Sequence, residues 1–575
     1  MALASVNEGG GDREFALIAE TLRDIDAHGF DPITEPRTYK EAMNSTHAED
    51  WKKAIHTEIE ALLQNSTFDL QDKLMPFGTK PISTKWVFKV KILPDNTTKF
   101  KARLVVRGFE AVEGEDYDET YAPVSRLSTL RFILALCAHY GFRHEHLDVT
   151  SAFLHPKIDR TNIWITPPDG AGEMNYQLNQ SLRLLKALYG LKQSPKLWYD
   201  HIHNTLITLG FHQAHADQNL YIKDGVLLVL YVDDILLVAT NSTRNALEVK
   251  KALMKTYKMT DLGETRRFLG LDISRVHSQL FPGKYDLILS QEQYISKVVE
   301  RYEKDRNLHP TNKPMNPSVD INDPYCDDKA LDKNGQKLYQ QIVGSLMYAA
   351  IGSRPDISFP VLALSRYTAR PMTKHMSTAW LVIRYLKGTT QHRLRYRFQT
   401  ENTNKPPELT AYTDSDWASN TATRKSVSGS CIFIPGSAPV TWMAKSQPVV
   451  TSSTLEAEFV AASKVICEIL WLQMMMQDVF GTGKLQPTPL YCDNDSAIAL
   501  IKSGIFKNPT KHIDVNYRHI IDSQATGSIT IRRVNSAENP ADLLTKALDE
   551  IKIRKLSSLI ELGTVDSQDA EMTDV

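Results

Sequence analysis

The sequence predicts a multidomain protein that combines α+β and α/β parts. Three observations predict this. The chain has 575 residues, more than a single hydrophobic core organises. Between residues 85 and 107 two segments alternate apolar with basic side chains, the period of a two-stranded ribbon. Residues 409–548 mix short strand-like runs with helix-like periods, the pattern of an α/β domain.

The elements follow in chain order. Residues 1–35 read as a flexible lead-in, with Gly9, Gly10 and Gly11 near its start. Trp51, Ala54, Ile55, Ile59, Leu62 and Leu63 then fall on one helical face. In the ribbon, Trp86, Phe88, Val90 and Ile92 alternate on one strand and Phe100, Ala102, Leu104 and Val106 on its partner, with PDNTT turning between them. The opposite faces carry Lys85, Lys89, Lys91, Lys99, Lys101, Arg103 and Arg107, so the ribbon is apolar on one side and basic on the other. Residues 130–139 read as a helix leading to a strand at 146–149. Residues 227–231 and 235–240 read as buried strands joined at two aspartates. Residues 308–336 are rich in Pro, Asn and Asp without periodicity and read as a linker. A mostly helical segment follows to about residue 390. ENTNKPP at 401–407 reads as a second linker, and the acidic stretch from Glu561 as a disordered tail.

Bulk properties narrow the function. The net charge is −1, which excludes a uniformly basic nucleic-acid binder and confines any such binding to local patches. The five cysteines form no CxxC pair, so neither a zinc knuckle nor a disulfide framework is expected, and a reduced intracellular setting fits. The first residues lack the apolar core of a signal peptide. The longest apolar run, 226–239, is interrupted by Asp233 and Asp234, so no segment is expected to span a membrane.

LLVLYVDDILLVAT places Asp233 and Asp234 at the tip of an apolar hairpin. Taken alone, the pair reads as a turn, where aspartate is common. Two adjacent carboxylates between apolar strands nevertheless repel unless something neutralises them, and hard oxygen ligands suit magnesium. A third carboxylate, Asp148, ends the strand in HLDVTSAFLH. Two metals on such a set can activate a primer 3′-hydroxyl and stabilise a leaving pyrophosphate.

YVDD at 231–234 resembles the catalytic tetrad of reverse transcriptases, and LDVTSAFLH at 147–155 the motif that supplies their other metal-binding aspartate. Asp148 and Asp233 lie 85 residues apart, a separation that suits a right-hand palm. KWVFKVK, KARLVVRGF, DYDETYAPVSR, LRLLKALYGLKQSPKLWY, FLGLDI, LSQEQYISKVV, GSLMYAAIGSRPDISFPV and IRYLKGTTQHRLRY, in this order, resemble copia-type retrotransposon Pol proteins in particular. The resemblance runs over roughly residues 36–550. It implies a reverse transcriptase of fingers, palm and thumb at 36–307, a linker at 308–336, a connection segment at 337–400, a linker at 401–408, a ribonuclease H-like domain at 409–550 and a tail at 551–575. It also implies that Lys101 and Arg103 hold the incoming triphosphate, in agreement with the basic ribbon face, whose bland reading is a solvated charged surface. Phe153 matches the aromatic residue that excludes a 2′-hydroxyl; its bland reading is core. Tyr189 stands where the retroviral enzymes carry a glutamine against the nucleotide, a departure from that pattern. Phe268, Leu269, Gly270 and Leu271 match the primer-grip hairpin.

A second carboxylate set follows. AYTDSDWAS contributes Asp414, SSTLEAEFVAAS Glu456, LYCDNDSAIAL Asp493 and ENPADLLTKAL Asp542, the last at the start of a helix. Singly, each reads as a surface acid or a helix cap. As an ordered series after a reverse transcriptase they resemble ribonuclease H, with Asp416, Glu458 and Asp495 as neighbouring decoys. In KHIDVNYRHI, His512, Asp514 and His519 lack a fourth ligand and read as structural or substrate-contacting. Asp514 competes with Asp542 for the fourth position. Leu470, Trp471, Met474 and Met475 read as ordinary helix packing.

The resemblance implies RNA-directed and DNA-directed DNA synthesis with cleavage of the RNA in RNA–DNA hybrids. It implies two Mg2+ per active site, with Mn2+ as an alternative. RNA template, DNA primer, hybrid and dNTPs are the expected partners, together with other Pol-derived products such as integrase. The expected setting is cytoplasmic, within a virus-like particle, or nuclear. Zinc-knuckle, protease and integrase signatures are missing, so a processed product, a separate frame or a degenerate copy is expected. The rival reading is a catalytically silent relic that only binds nucleic acid; all seven acids are present, which favours activity. Intron maturases and telomerase-like enzymes do not normally carry this nuclease region.

Overall fold

A computed structural model describes residues 35–564, apart from 70–74, 93–96, 161, 171, 173–179, 241–242, 305, 324–327, 404 and 504–510, and apart from the side chains of 91–92 and 511–514. Residues 1–34, most of the PDNTT turn and the acidic end from 565 lie outside the described residues.

The apolar run at 226–239 forms the middle of a six-stranded antiparallel sheet. Its order is Met259–Glu264, Arg143–Val149, Asp234–Ala239, Val226–Tyr231, Leu220–Lys223 and His212–Gln213. Both faces are covered, which is why the run is apolar at nearly every position. Leu228, Leu230, Ile235 and Leu237 share one core with Trp198, Ile202 and Leu206 of helix Ser194–Thr208 and with Val249 and Leu253 of helix Thr243–Thr256. Leu227, Val229, Leu236 and Val238 share the other with helix Leu127–Tyr140, which ends on Gly141 in the left-handed conformation that a C-terminal cap requires.

The ribbon forms as its alternation predicts. Thr84–Ile92 pairs antiparallel with Thr98–Val106, setting Trp86 opposite Leu104 and Phe88 opposite Ala102. Helix Ala48–Gln64 closes the apolar face, with the Trp51 ring 5.1 Å from Phe88 and 4.7 Å from Phe100. On the other face Lys89 stands opposite Lys101, and Lys89 also pairs with Glu35 at 3.1 Å. Like charges directly opposed across a ribbon are unfavourable unless an anion joins them.

A second sheet runs Arg267–Phe268, Leu271–His277, Tyr285–Ser290, Arg393–Tyr396 and Leu562–Gly563. Helices Glu292–Glu303, Lys333–Gly352, Ser358–Ser365 and Thr373–Gly388 accompany it. Two sequence expectations differ from the structure here. Residues 308–336 hold no helix until Lys333, yet Leu308, Met315 and Ile321 are buried in the main core, so this segment is packed rather than a free linker. The presumed tail is also structured up to residue 564. Helix Glu550–Leu559 buries Ile553 and Leu556, and Glu561 pairs with Arg397 at 2.8 Å. The polar residues between them hid these few apolar anchors. The second linker is tied back as well, where the Tyr140 hydroxyl donates to the Lys405 carbonyl at 2.5 Å.

The third sheet runs Pro439–Ser446, Val427–Phe433, Thr410–Asp416, Thr488–Cys492 and Ile529–Arg533. Its first two pairings are antiparallel and its last two parallel, a ribonuclease H-like arrangement. Helix Thr454–Phe480 is long and apolar enough by composition to cross a membrane, but most of it is buried against this sheet and helix Lys511–Ala525. Trp471 is more than packing, since its indole N–H donates to the Ala216 carbonyl of the first region at 2.8 Å. Arg131 joins all three regions. It donates to Val440 O at 2.9 Å and Ile351 O at 2.8 Å and lies 4.0 Å over the Trp442 ring. Burial lowers its pKa to about 10.

Candidate active sites

Antiparallel register builds the first acid cluster. Asp148, at the end of its strand, is the direct partner of Asp234, and Asp234 in turn pairs with Tyr231 across a tight turn. Val232 in that turn takes φ +55°, and its carbonyl accepts the Trp198 indole N–H at 2.6 Å. The Asp233 carbonyl accepts the Val149 N–H at 2.8 Å. Three carboxylates are thereby set at one end of two paired strands, Asp148 from one and Asp233 and Asp234 from the start of the other. Burial, then Asp234 and Asp148, push the Asp233 carboxyl above the ordinary range.

Residues from distant segments face this cluster. Arg103 lies 4.6 Å over the Tyr189 ring, and the Phe153 ring meets Tyr189 edge-on at 5.1 Å. Tyr189 is brought there by a close approach, because Val106 N–H donates to its carbonyl at 2.8 Å. The next residue must be glycine. Gly190 has φ +93°, and a Cβ on it would lie 2.0 Å from the Val106 carbonyl. Burial drives the Tyr189 hydroxyl pKa up to about 12, so it stays protonated at neutral pH. Lys101 lies on the same ribbon face as Arg103. The turn at Phe268, Leu269, Gly270 and Leu271 sits behind the cluster. Leu269 and Gly270 both take positive φ, and the Tyr348 hydroxyl donates to the Leu269 carbonyl at 2.9 Å.

One residue here was missed in the sequence. His146, two positions before Asp148, bonds Asp234 Oδ1 through Nε2 at 2.7 Å and lies 5.2 Å from the Phe268 ring. It links the second aspartate to the 268–271 turn. A period-two reading of HEHLDV could have placed it on the Asp148 side of the strand.

The second cluster is tighter. Asp414, Asp493 and Asp542 each bring a carboxylate oxygen within 4.8 Å of the other two, and among the described residues no other three side chains of ligand type do so. Asp414 lies in strand Thr410–Asp416, and Asp493 follows the parallel strand Thr488–Cys492. Burial raises the Asp414 pKa to about 6. Asp542 is fully buried. It sits in a short 3-10 turn, Pro540–Leu544, rather than at the start of the next α-helix, which begins only at Glu550. That turn is seated by Asn539, whose Nδ2 donates to the Thr413 carbonyl at 3.0 Å.

The expectation for Glu456 requires correction. Ser453 caps helix Thr454–Phe480, and the Glu456 carboxylate turns back to accept the Ser452 N–H at 2.6 Å. Glu458, which reads in the sequence as a neighbouring decoy, is the acid that faces the cluster. It is buried, interacts with Asp414 and Asp493, and is held well above the ordinary carboxylate range by burial and those two charges. Asp495 pairs with Arg533 at the surface. The Asp514 and His512 side chains lie outside the described residues, while His519 bonds Ser463 Oγ at 3.1 Å.

The donor set suits hard divalent cations. Four acids converge, and buried Asp542 Oδ1 makes no hydrogen bond. Lys546 Nζ stands 2.9 Å from it as a charge neighbour.

A family model described as reverse transcriptase (RNA-dependent DNA polymerase) matches residues 65–317. The transposon Ty5-1 protein YCL074W of Saccharomyces cerevisiae is 34% identical over 334 residues, 56% of this chain and 100% of that protein. The retrovirus-related Pol polyprotein from transposon TNT 1-94 of Nicotiana tabacum is 35% identical over 92% of this chain and 39% of its own length. That from transposon RE1 of Arabidopsis thaliana is 31% identical over 92% and 35%. The chain belongs to the copia-type retrotransposon Pol family.

It spans little more than a third of the length of those two plant polyproteins. Among solved structures, the prototype foamy virus protease–reverse transcriptase aligns over 96% of this chain and 80% of its own at 14% identity and a TM-score of 0.27. Within the Pol family the two clusters fall to different regions. The Asp148 cluster lies inside the matched reverse transcriptase segment, and the Asp414 cluster in the ribonuclease H-like fold that follows.

Proposed function

We propose that the chain copies an RNA template into DNA at Asp148, Asp233 and Asp234, and cleaves the RNA of the resulting hybrid at Asp414, Glu458, Asp493 and Asp542. The observation that carries the first half is the strand register that sets Asp148 against Asp234 with Asp233 in the turn. Two Mg2+ at each site, with Mn2+ as an alternative, would supply the charge that activates the attacking oxygen and stabilises the leaving one. The chain's own residues do the rest. Lys101 and Arg103 attract the triphosphate, Phe153 and Tyr189 wall the sugar and base, and the 268–271 turn supports the primer end. In the nuclease site Asp542, rather than Asp514, is the fourth acid. The partners are an RNA template, a DNA primer, the hybrid and dNTPs. The test is primer extension on an RNA template by the purified chain, with and without a chelator. Mg2+-dependent extension is expected, and a folded chain that extends nothing would overturn the reading.

Two narrower outcomes follow. Phe153→Val removes the ring that meets Tyr189 edge-on, so ribonucleotides should enter with roughly tenfold less discrimination while dNTP use falls less. An unchanged ratio of the two efficiencies returns Phe153 to a packing role. Gly429 pairs with Asp414, and a Cβ there would lie 2.6 Å from Thr545 Cγ2 and 2.9 Å from the Ala541 carbonyl. Gly429→Ala should therefore lift the turn that carries Asp542 and lower hybrid cleavage by on the order of 10²-fold, with primer extension unchanged. Cleavage at the native rate would mean that the turn's position is not critical.

A further inference from the structure

We propose that Lys546 and Lys552 are built-in counter-cations of the nuclease site, which close Asp542 to a divalent ion until they are displaced. The proposal rests on the reading of Asp414, Asp493 and Asp542 as metal ligands. Lys546 Nζ stands 2.9 Å from Asp542 Oδ1 and 3.3 Å from Asp414 Oδ2, and Lys552 Nζ pairs with Asp542 Oδ2. Both oxygens of a fully buried carboxylate therefore face an ammonium group.

Electrostatics gives the reason. A buried carboxylate without a counter-charge is costly, and here four acids crowd one site. The lysines relieve that cost when no divalent ion is bound. They also remain movable, since their side chains are 34% and 30% exposed, so either ammonium group can swing to water without unpacking the core. An ion and a lysine that compete for the same oxygens are linked, so removing the lysine tightens the ion.

The two lysines arrive by different routes. Lys546 follows the 3-10 turn that carries Asp542. Lys552 lies in helix Glu550–Leu559, capped by Asp549, whose side chain accepts the Lys552 N–H at 2.9 Å. The chain then leaves the nuclease region. Leu562 pairs with Leu394, Gly563 with Arg393, and Glu561 binds Arg397. Lys552 is thus carried on a strap whose far end is a strand of the sheet that bears the 268–271 turn. The strap fixes the backbone from which the Lys552 side chain reaches Asp542.

The test uses the full chain with Asp233→Asn, which weakens the Mg2+ response of the other acid cluster and is common to every variant compared. Mg2+ is titrated by calorimetry, and the unfolding temperature is followed with and without Mg2+. Lys552→Met should bind Mg2+ roughly tenfold more tightly, melt lower without the ion, and regain the difference when saturated. Lys546→Met should act in the same direction, and Lys552→Arg should resemble the parent. Asp542→Asn should lose most of the remaining Mg2+ binding. Unchanged or weaker Mg2+ affinity in Lys552→Met, with binding still lost in Asp542→Asn, would overturn the counter-cation role and leave the metal site standing. Unaltered Mg2+ binding in Asp542→Asn would overturn the metal site itself.

Discussion

Asp233→Asn is expected to slow RNA-templated primer extension by at least on the order of 10³-fold. Asparagine has the same shape, so the turn should survive. Its backbone carbonyl still accepts the Val149 N–H, and Val232 keeps its positive φ. What is lost is a charge. Asp233 is the acid of this set whose proton affinity is raised by burial and by both neighbouring carboxylates. A site that strains to hold three negative charges is one that binds a cation strongly, and asparagine removes part of that demand. Single-nucleotide incorporation rates check this. Incorporation within about fivefold of the native rate would sink the role of Asp233.

The second large effect separates two glutamates two residues apart. Glu458→Gln should lower hybrid cleavage by at least roughly 10²-fold, because Glu458 is buried against Asp414 and Asp493. Glu456→Gln should leave cleavage within about threefold and cost about 0.3–1 kcal/mol of stability through the charge lost at the helix N-terminus, since the amide oxygen can still accept the Ser452 N–H. Cleavage of a labelled RNA–DNA hybrid, read beside a thermal melt, distinguishes them. The opposite ranking would restore Glu456 as the ligand.

This pair marks where the sequence was misread. SSTLEAEF holds a Ser453-x-x-Glu456 capping box, the signature of a helix start, and that pattern already accounts for Glu456 without any metal. Two residues further along the helix, Glu458 points at the sheet. The hairpin around Asp233 was legible because two faces of buried strand write an uninterrupted apolar run, and two acids stand out in it. The basic ribbon was legible because a period of two survives without tertiary information. His146, Lys546 and Lys552 were not, since each matters only through a partner that register or a chain reversal brings near. The segment 308–336 and the strap at 550–564 look like linker and tail because a few anchors, Leu308, Met315, Ile321 and Leu556, are diluted by polar residues. Composition averages over a segment, whereas burial is decided side chain by side chain.

The proposed function places two independent acid sites of different chemistry on one chain. A single substrate tests it: an RNA template labelled in one colour, annealed to a DNA primer labelled in another, incubated with Mg2+ and dNTPs. The native chain should lengthen the primer and shorten the RNA. Asp233→Asn should only shorten the RNA, and Asp542→Asn should only lengthen the primer. Loss of both products in either variant, with the fold intact, would contradict the assignment of the two clusters to separate reactions.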